Sequence, residues 1–296
     1  MSTQSELYES VTARIIAALE SGAAPWIRPW KSDGTGGALP HNATTGRAYH
    51  GINTILLWGA SCAYGSNGWL TFKQCQARGG HVRAGEKGTQ IVFWKFFESK
   101  EKDDDGKARK IPMLRTYYVF NIAQCDDLQL ASRPRAEPIG PTELDAAIAL
   151  IGADIRYGGD AACFSPAGDF IAVPNREAFK SLAHYHATLL HELTHWSGHK
   201  ARLDRDLSGR FGNAAYAAEE LIAEIGSAFL CASLGQPLEQ LQHADYVASW
   251  IKVLKDDSRA IFTAAKAAQT AADYLLGAMG RGESADDESE QLEVAA

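Results

Sequence analysis

Absences narrow this 296-residue chain before any motif does. No apolar run approaches the roughly 18 residues that cross a bilayer. The opening stretch, residues 1–16, has neither the basic start nor the apolar core of a signal peptide. Both absences point to a cytoplasmic protein without membrane contact. Cysteine is sparse: Cys62, Cys75, Cys125, Cys163 and Cys231 form no C-x-x-C pair. Such an odd, unpatterned set reads as reduced thiols rather than a disulfide framework. Internal repeats are absent, and so is any recognition-helix or zinc-finger pattern for reading duplex DNA.

What remains is the composition of a globular protein, 46% hydrophobic and 22% charged, long enough for two domains with proper cores. The net charge of −7 conceals an asymmetry. Residues 1–135 carry 17 Lys and Arg against 12 Asp and Glu, whereas the remainder carries 12 against 24. A polyanion would therefore meet the first half.

Helical spacing of Leu7, Val11, Ile15 and Leu19 predicts an amphipathic helix over 5–21, ended by Gly22. Residues 51–64 read as helical, and 71–78 as a short helix closed by Gly79-Gly80. The β-branched and aromatic runs 89–97 and 114–121 read as strands, with the charged insertion 98–112 as a solvated loop between them. Prolines break all periodicity over 131–141. Beyond it, 142–151 reads as a helix and 169–173 as a strand. Pro174-Asn175 would stop that strand and cap the next helix. Further helices are expected over 214–235 and 243–278, followed by an acidic tail over 279–296.

The helix after Asn175 carries His191-Glu192-Leu193-Thr194-His195. Positions four apart share a helix face, so both imidazoles can reach one ion, with Glu192 beside them as the base that takes a proton from water. A catalytic site of this kind needs a third protein ligand. Glu220 and Glu224 share a face of the next helix, while Glu219 points about a hundred degrees away. Glu220 reads as the third ligand, and Glu224 as the acceptor for the outer N–H of a ligand histidine. His199 is the rival ligand. Gly198 fits the metzincin pattern, but Ala201 stands where its last histidine belongs, and the only later methionine is Met279. His184 and His186 read as structural. Tyr185, Tyr216 and His243 are possible oxyanion stabilisers. Zn2+ suits the donor set, and Mn2+ or Co2+ could occupy it.

In the first half, Trp26, Trp30, Trp58, Trp69 and Trp94 alternate with Arg28, Lys31, Arg47, Lys73, Arg83, Lys87 and Lys95. Cations neutralise phosphates while aromatic faces stack on unpaired bases, a mixture suited to single-stranded nucleic acid. Trp58 and Trp94 sit in apolar runs and read as core.

The segments Tyr49-His-Gly51-Ile52-Asn53, Trp69-Leu-Thr71-Phe72-Lys73-Gln74, Gly85-Glu86-Lys87-Gly88-Thr89 and Tyr118-Val-Phe120-Asn121 resemble the N-terminal domain of ArdC-type antirestriction proteins, which is similar to a domain of some plasmid primases. The second half, with His191 to His199, Arg202-Leu203 and Tyr216-Ala-Ala-Glu-Glu220-Leu-Ile-Ala-Glu224, resembles the zincin-like peptidase domain paired with it. The resemblance implies a mobile-element protein that binds single-stranded DNA and protects it from host restriction during conjugation. Arg47, Tyr49, Asn53, Trp69, Lys73, Gln74 and Lys87 are then the candidates for the DNA path. It also implies Glu220 as third ligand, in line with the gluzincin E-x-x-x-D pattern, with Glu224 in place of the Asp.

The fold expected is α+β in two domains. An N-terminal α+β nucleic-acid-binding domain spans 1–130 and a linker 131–141. A mostly helical gluzincin-like domain with a small sheet spans 142–278. Two alternatives to the antirestriction reading stay open. One is a metalloprotease that cleaves a host restriction-related protein and is targeted by its DNA-binding half. The other is a DNA-binding protein whose metal only holds the fold.

Overall fold

The amphipathic opening forms helix α1 (Gln4–Glu20), which buries Leu7, Val11, Ile15 and Leu19. Gly22 ends it in the left-handed conformation that favours glycine. The structure is a computed structural model, and it describes residues 4–26, 39–102, 108–130, 138–209, 213–237 and 244–282. Trp30, Lys31, the boundary segment 131–137, His243 and the tail beyond 282 lie outside the described residues.

After α1 come β1 (His41–Asn42), α2 (Ile52–Ser61), β2 (Gly68–Leu70), α3 (Phe72–Ala77), β3 (His81–Val82), β4 (Thr89–Lys102), β5 (Ala108–Asn121) and β6 (Cys125–Asp126). One sheet has the order β1-β2-β5-β4, and β3 pairs with β6. The charged insertion corrects the expected loop: β4 runs through to Lys102 and β5 begins at Ala108, paired antiparallel with Glu98 opposite Lys110. A ladder is made of backbone N–H and C=O groups, which a charged segment supplies as well as an apolar one.

The second half contains α4 (Pro141–Leu150), β7 (Asp154–Tyr157), β8 (Cys163–Ser165), β9 (Phe170–Val173), α5 (Leu182–Ser197), α6 (Ala214–Ser233), α7 (Ala244–Asp256) and α8 (Ala260–Ala278). β9 runs parallel to β7 and antiparallel to the edge strand β8. Two features differ from the sequence reading. The short strands β7 and β8 carry too few apolar residues to announce themselves. Asn175 does not cap the motif helix: a single 3-10 turn over Arg176–Ala178 intervenes, and the Ser181 hydroxyl accepts from the His184 N–H at 2.9 Å to start α5.

The architecture is α+β, as expected, and its halves share a core. Ile15 and Leu19 of α1, Trp26, and Ile55 and Trp58 of α2 belong to the same buried cluster as α5, α6, α7 and α8. Trp58 packs against Phe229 at 5.6 Å between ring centroids, and Trp26 meets Trp250 edge-on at 5.9 Å. The Thr12 hydroxyl donates to the Ser258 carbonyl at 2.6 Å, and the Gly51 N–H to Gln269 at 3.0 Å. Alanines 264, 265, 268 and 272 join that core, their small side chains bringing α8 close to its neighbours.

Candidate functional site

α5 and α6 build the site at their crossing. Leu189, Leu190 and Leu193 bury one side of α5 and leave His191 and His195 facing α6, with Glu192 lining the cleft beside them. Gly226 allows the close approach: a Cβ there would lie 2.6 Å from Thr194 Cγ2. The Ser227 hydroxyl donates across the gap to the Ala187 carbonyl at 3.0 Å.

Among the described residues, His191, His195 and Glu220 offer ligand atoms that all lie within 4.8 Å of one another. Nε2 of His191 is 3.6 Å from Glu220 Oε2, and Nε2 of His195 is 3.5 Å from Glu220 Oε1. A tetrahedral ion with bonds of about 2.0–2.1 Å places its ligand atoms roughly 3.4 Å apart, so the three donors stand at the spacing of one metal shell. His199 is not in that group. It sits 3.9 Å from Asp169 and edge-on to Phe164.

Each ligand histidine has a second nitrogen, and α6 supplies a carboxylate for each. Nδ1 of His195 hydrogen-bonds Glu219 Oε1 at 3.1 Å. Nδ1 of His191 lies 3.7 Å from Glu224 Oε2, an ion-pair contact longer than a hydrogen bond. Glu219 is gripped in turn by Arg205, which donates to both its oxygens at 2.8 and 3.1 Å, to the Thr194 carbonyl at 2.6 Å and to Ser197 at 3.0 Å. Gly198 leaves room for this guanidinium, since a Cβ there would stand 2.7 Å from it. The sequence reading missed Glu219 and Arg205. One signal was available: two ligand imidazoles need two outer acceptors, and Glu219 is the carboxylate left over.

The electrostatics follow from burial. Glu192, Glu219, Glu220 and Glu224 are all buried, with Arg205 on Glu219 alone. Burial opposes ionisation of Glu220, but the carboxylate's contact with His191 and the nearby charge of His195 hold it down to about 2. Burial pushes Glu224 up to about 7. Burial disfavours the charged form of His191, yet the facing carboxylates Glu220, Glu192 and Glu224 raise it to about 9. This excess of buried negative charge is what a divalent cation would neutralise.

The site opens into a cleft of about 310 Å³, lined by Glu192, by Cys163 and Phe164 of the edge strand β8, and by Tyr216 and Tyr246. The Tyr216 hydroxyl stands 3.2 Å from that of Tyr246. Burial raises it well above an ordinary phenol, so it stays protonated and able to donate. Tyr185 is buried, 3.3 Å from the Tyr157 hydroxyl, and does not line the cleft. His186 ties α5 to α4, 2.9 Å from Asp145, which also binds Arg176 at 2.8 Å.

The first-half candidates divide. Trp69 is fully buried and presents no face to a base. Tyr49 is buried in the same cluster as Trp69. Asn53 is an internal strut, with its side chain bonding Val92 N–H and C=O at 2.9 and 2.7 Å. Gln74 is committed to the capping box of α3, accepting from the Thr71 N–H at 2.9 Å and from Asn42 at 3.2 Å. Trp69, Tyr49 and Asn53 are therefore corrected to structural roles, since a DNA path would need their polar or aromatic groups in solvent and folding has buried them. Gln74 is half-buried, and both of those bonds use its amide oxygen. Lys73 and Lys87 are exposed, and Arg47 is partly exposed in the turn after β1.

Comparison with known proteins adds to this geometry. A family model described as the N-terminal domain of anti-restriction factor ArdC matches residues 5–120, and one described as a zincin-like metallopeptidase matches residues 142–267. Uncharacterized protein y4eC of Sinorhizobium fredii (strain NBRC 101917 / NGR234) is 43% identical over 286 residues, 92% of each chain. A DNA primase TraC of Escherichia coli is 40% identical over 286 residues, a match that takes in 91% of this chain but only 27% of the primase. The metal-free crystal structure of the antirestriction ArdC protein from the R388 plasmid superposes with a TM-score of 0.80 at 44% identity. The Mn(II)-bound structure does so with 0.77 at 43%. Both cover 94% of this chain and 99% of that one.

Proposed function

This chain belongs to the ArdC-type antirestriction family, and on that premise we propose that it protects a mobile element's incoming DNA from host restriction by binding it single-stranded through its first half. The observation that carries the reading is the 44% identity to an antirestriction protein over almost the whole of both chains. The basic balance of residues 1–135 supports it, because a polyanion is drawn there and repelled by the acidic remainder.

His191, His195 and Glu220 would hold a divalent ion, with Zn2+ and Mn2+ both suited to two imidazoles and a carboxylate. Such an ion supplies Lewis acidity toward a carbonyl and water. The chain's own groups do the rest. Glu192, which lines the cleft, accepts a proton from water and returns it to the departing amine. Tyr216, kept protonated, donates toward a carbonyl oxygen that gains charge. Glu219 and Glu224 keep the imidazoles turned toward the ion. An open cleft beside three protein donors favours hydrolysis of a host protein over a metal that merely holds the fold, since structural sites close their shell with four.

Glu192→Gln tests both levels in the full chain. Metal content by elemental analysis and DNA affinity are expected unchanged, while peptide hydrolysis is lost. Transfer of DNA into a restricting host then separates the readings. Undiminished protection by Glu192→Gln makes hydrolysis dispensable, and absence of protection by the natural chain refutes the antirestriction reading.

A further inference from the structure

Trp26, Trp58 and Trp69, three of the residues that composition marked for base stacking, are inside, but another set of rings is outside. Phe72 is 49% exposed and Tyr118 59%, two of the five large apolar side chains left in solvent among the described residues. The other three, Leu150, Tyr157 and Tyr274, are scattered over α4, β7 and α8. Phe72 and Tyr118 are joined through Phe120. The rings of Phe72 and Phe120 are 6.3 Å apart at 61°. Tyr118 and Phe120 are two residues apart on β5 and so share a face. Gly88 lies against both, since a Cβ there would stand 3.1 Å from Tyr118 Cβ and 3.2 Å from Phe120 Cζ. With no side chain at 88, the strip stays uncovered.

We propose that Tyr118, Phe120 and Phe72 form a stacking platform for successive bases of single-stranded DNA, with Lys87 and Lys73 placed for its phosphates. This deepens the reading that the first half takes single-stranded DNA and rests on it. The spacing suits the ligand. Residues two apart on a strand are separated by roughly 7 Å, close to the 6.3 Å between Phe72 and Phe120. That is about twice the 3.4 Å rise of stacked nucleotides, which fits bases splayed apart. The platform is stiff: Tyr118 and Phe120 stand on a paired strand, and Phe72 opens a helix fixed by the Thr71–Gln74 capping box. Its chemistry is rings with exposed lysines adjacent in sequence. Lys73 follows Phe72 and Lys87 precedes Gly88, both exposed, and this combination matches base faces joined by phosphates.

The test measures binding of the full chain to a labelled oligodeoxythymidine of about 15 nucleotides across a salt series. Phe72→Ala and Tyr118→Ala are each expected to weaken binding about 10-fold and leave the salt slope unchanged, because no charge is removed. Phe72→Trp and Tyr118→Trp should retain affinity, which separates a lost ring from a disturbed fold. Lys87→Ala should reduce the slope by about 0.7. An abasic strand of the same length should bind the natural chain and Phe72→Ala alike, because no base remains to stack. Alanine variants that melt normally and bind the oligonucleotide like the natural chain overturn the platform while the first-half reading stands. If those variants also lose protection in the transfer assay, the strip serves a protein partner instead. No binding by the natural chain overturns both.

Discussion

Replacing Arg205 by alanine tests whether the metal centre depends on a residue that never reaches the ion. Arg205 and Glu219 are 11% and 9% exposed, so the pair is largely out of water. Without the guanidinium, Glu219 keeps only its bond to His195, and Ser197 and the Thr194 carbonyl lose their charged donor. Removing one partner of a buried pair costs about 3–5 kcal/mol. The site itself should also weaken. Burial raises the Glu219 carboxyl, and only His195 and Arg205 hold it below the ordinary range. With Arg205 gone the carboxyl is more readily protonated and loses the group that orients it toward His195 Nδ1. Loss of an outer partner of this kind costs about 10–100-fold in metal affinity, or about 1.4–2.8 kcal/mol. Calorimetric titration of Zn2+ or Mn2+ into the metal-free variant reads the second quantity, and thermal unfolding in chelator reads the first. Arg205→Met with Glu219→Gln removes both charges and leaves an amide oxygen for His195. Its stability should return to within about 1 kcal/mol of the natural chain, because no unpaired charge remains. A variant Arg205→Ala with metal affinity within about twofold and unaltered unfolding would refute the linkage.

Three further outcomes are expected. Gly226→Val pushes α6 away from Thr194 and should cost about 1–3 kcal/mol together with metal affinity, measured by unfolding and by metal titration. Trp58→Ala should cost about 3–5 kcal/mol and shift one cooperative unfolding transition, because its contacts join the two halves; separate transitions would show independent cores. Burial alone would raise the Asp145 carboxyl, but Arg176 and His186 hold it below the ordinary range. Its contribution is therefore present above the unfolded value of about 3.9 and lost as pH falls through the folded value. Asp145→Asn should flatten the loss of melting temperature below about pH 4, and an unchanged acid limb would count against the link.

The sequence speaks most clearly where chemistry depends on spacing within one element. The pair His191 and His195 is a fact about helical periodicity, and Glu220 and Glu224 repeat it on α6. Glu219 shows the limit of that logic. Its direction on α6 argued against a role at the metal, but an imidazole has two nitrogens on different edges. A carboxylate one position away meets the outer edge while Glu220 meets the inner one. Arg205 was invisible for a related reason: its place is set by the return of the chain after α5, across Gly198. The charged arms of β4 and β5 read as loop because apolar content was the signal for strand, whereas backbone pairing needs none.

The sequence alone carried the His191 and His195 pair, the candidacy of Glu220, the α+β class and which half is basic, because these rest on residue type and on spacing within single elements. The tertiary structure decided which carboxylate and which guanidinium hold the histidines, and that α1 and α2 pack into the core of the second half. It also decided which aromatics meet solvent: Trp69 and Tyr49 face inward, and Phe72 and Tyr118 outward. Rings of either kind look alike along the chain, since burial is a property of the packing around a side chain and not of the side chain itself.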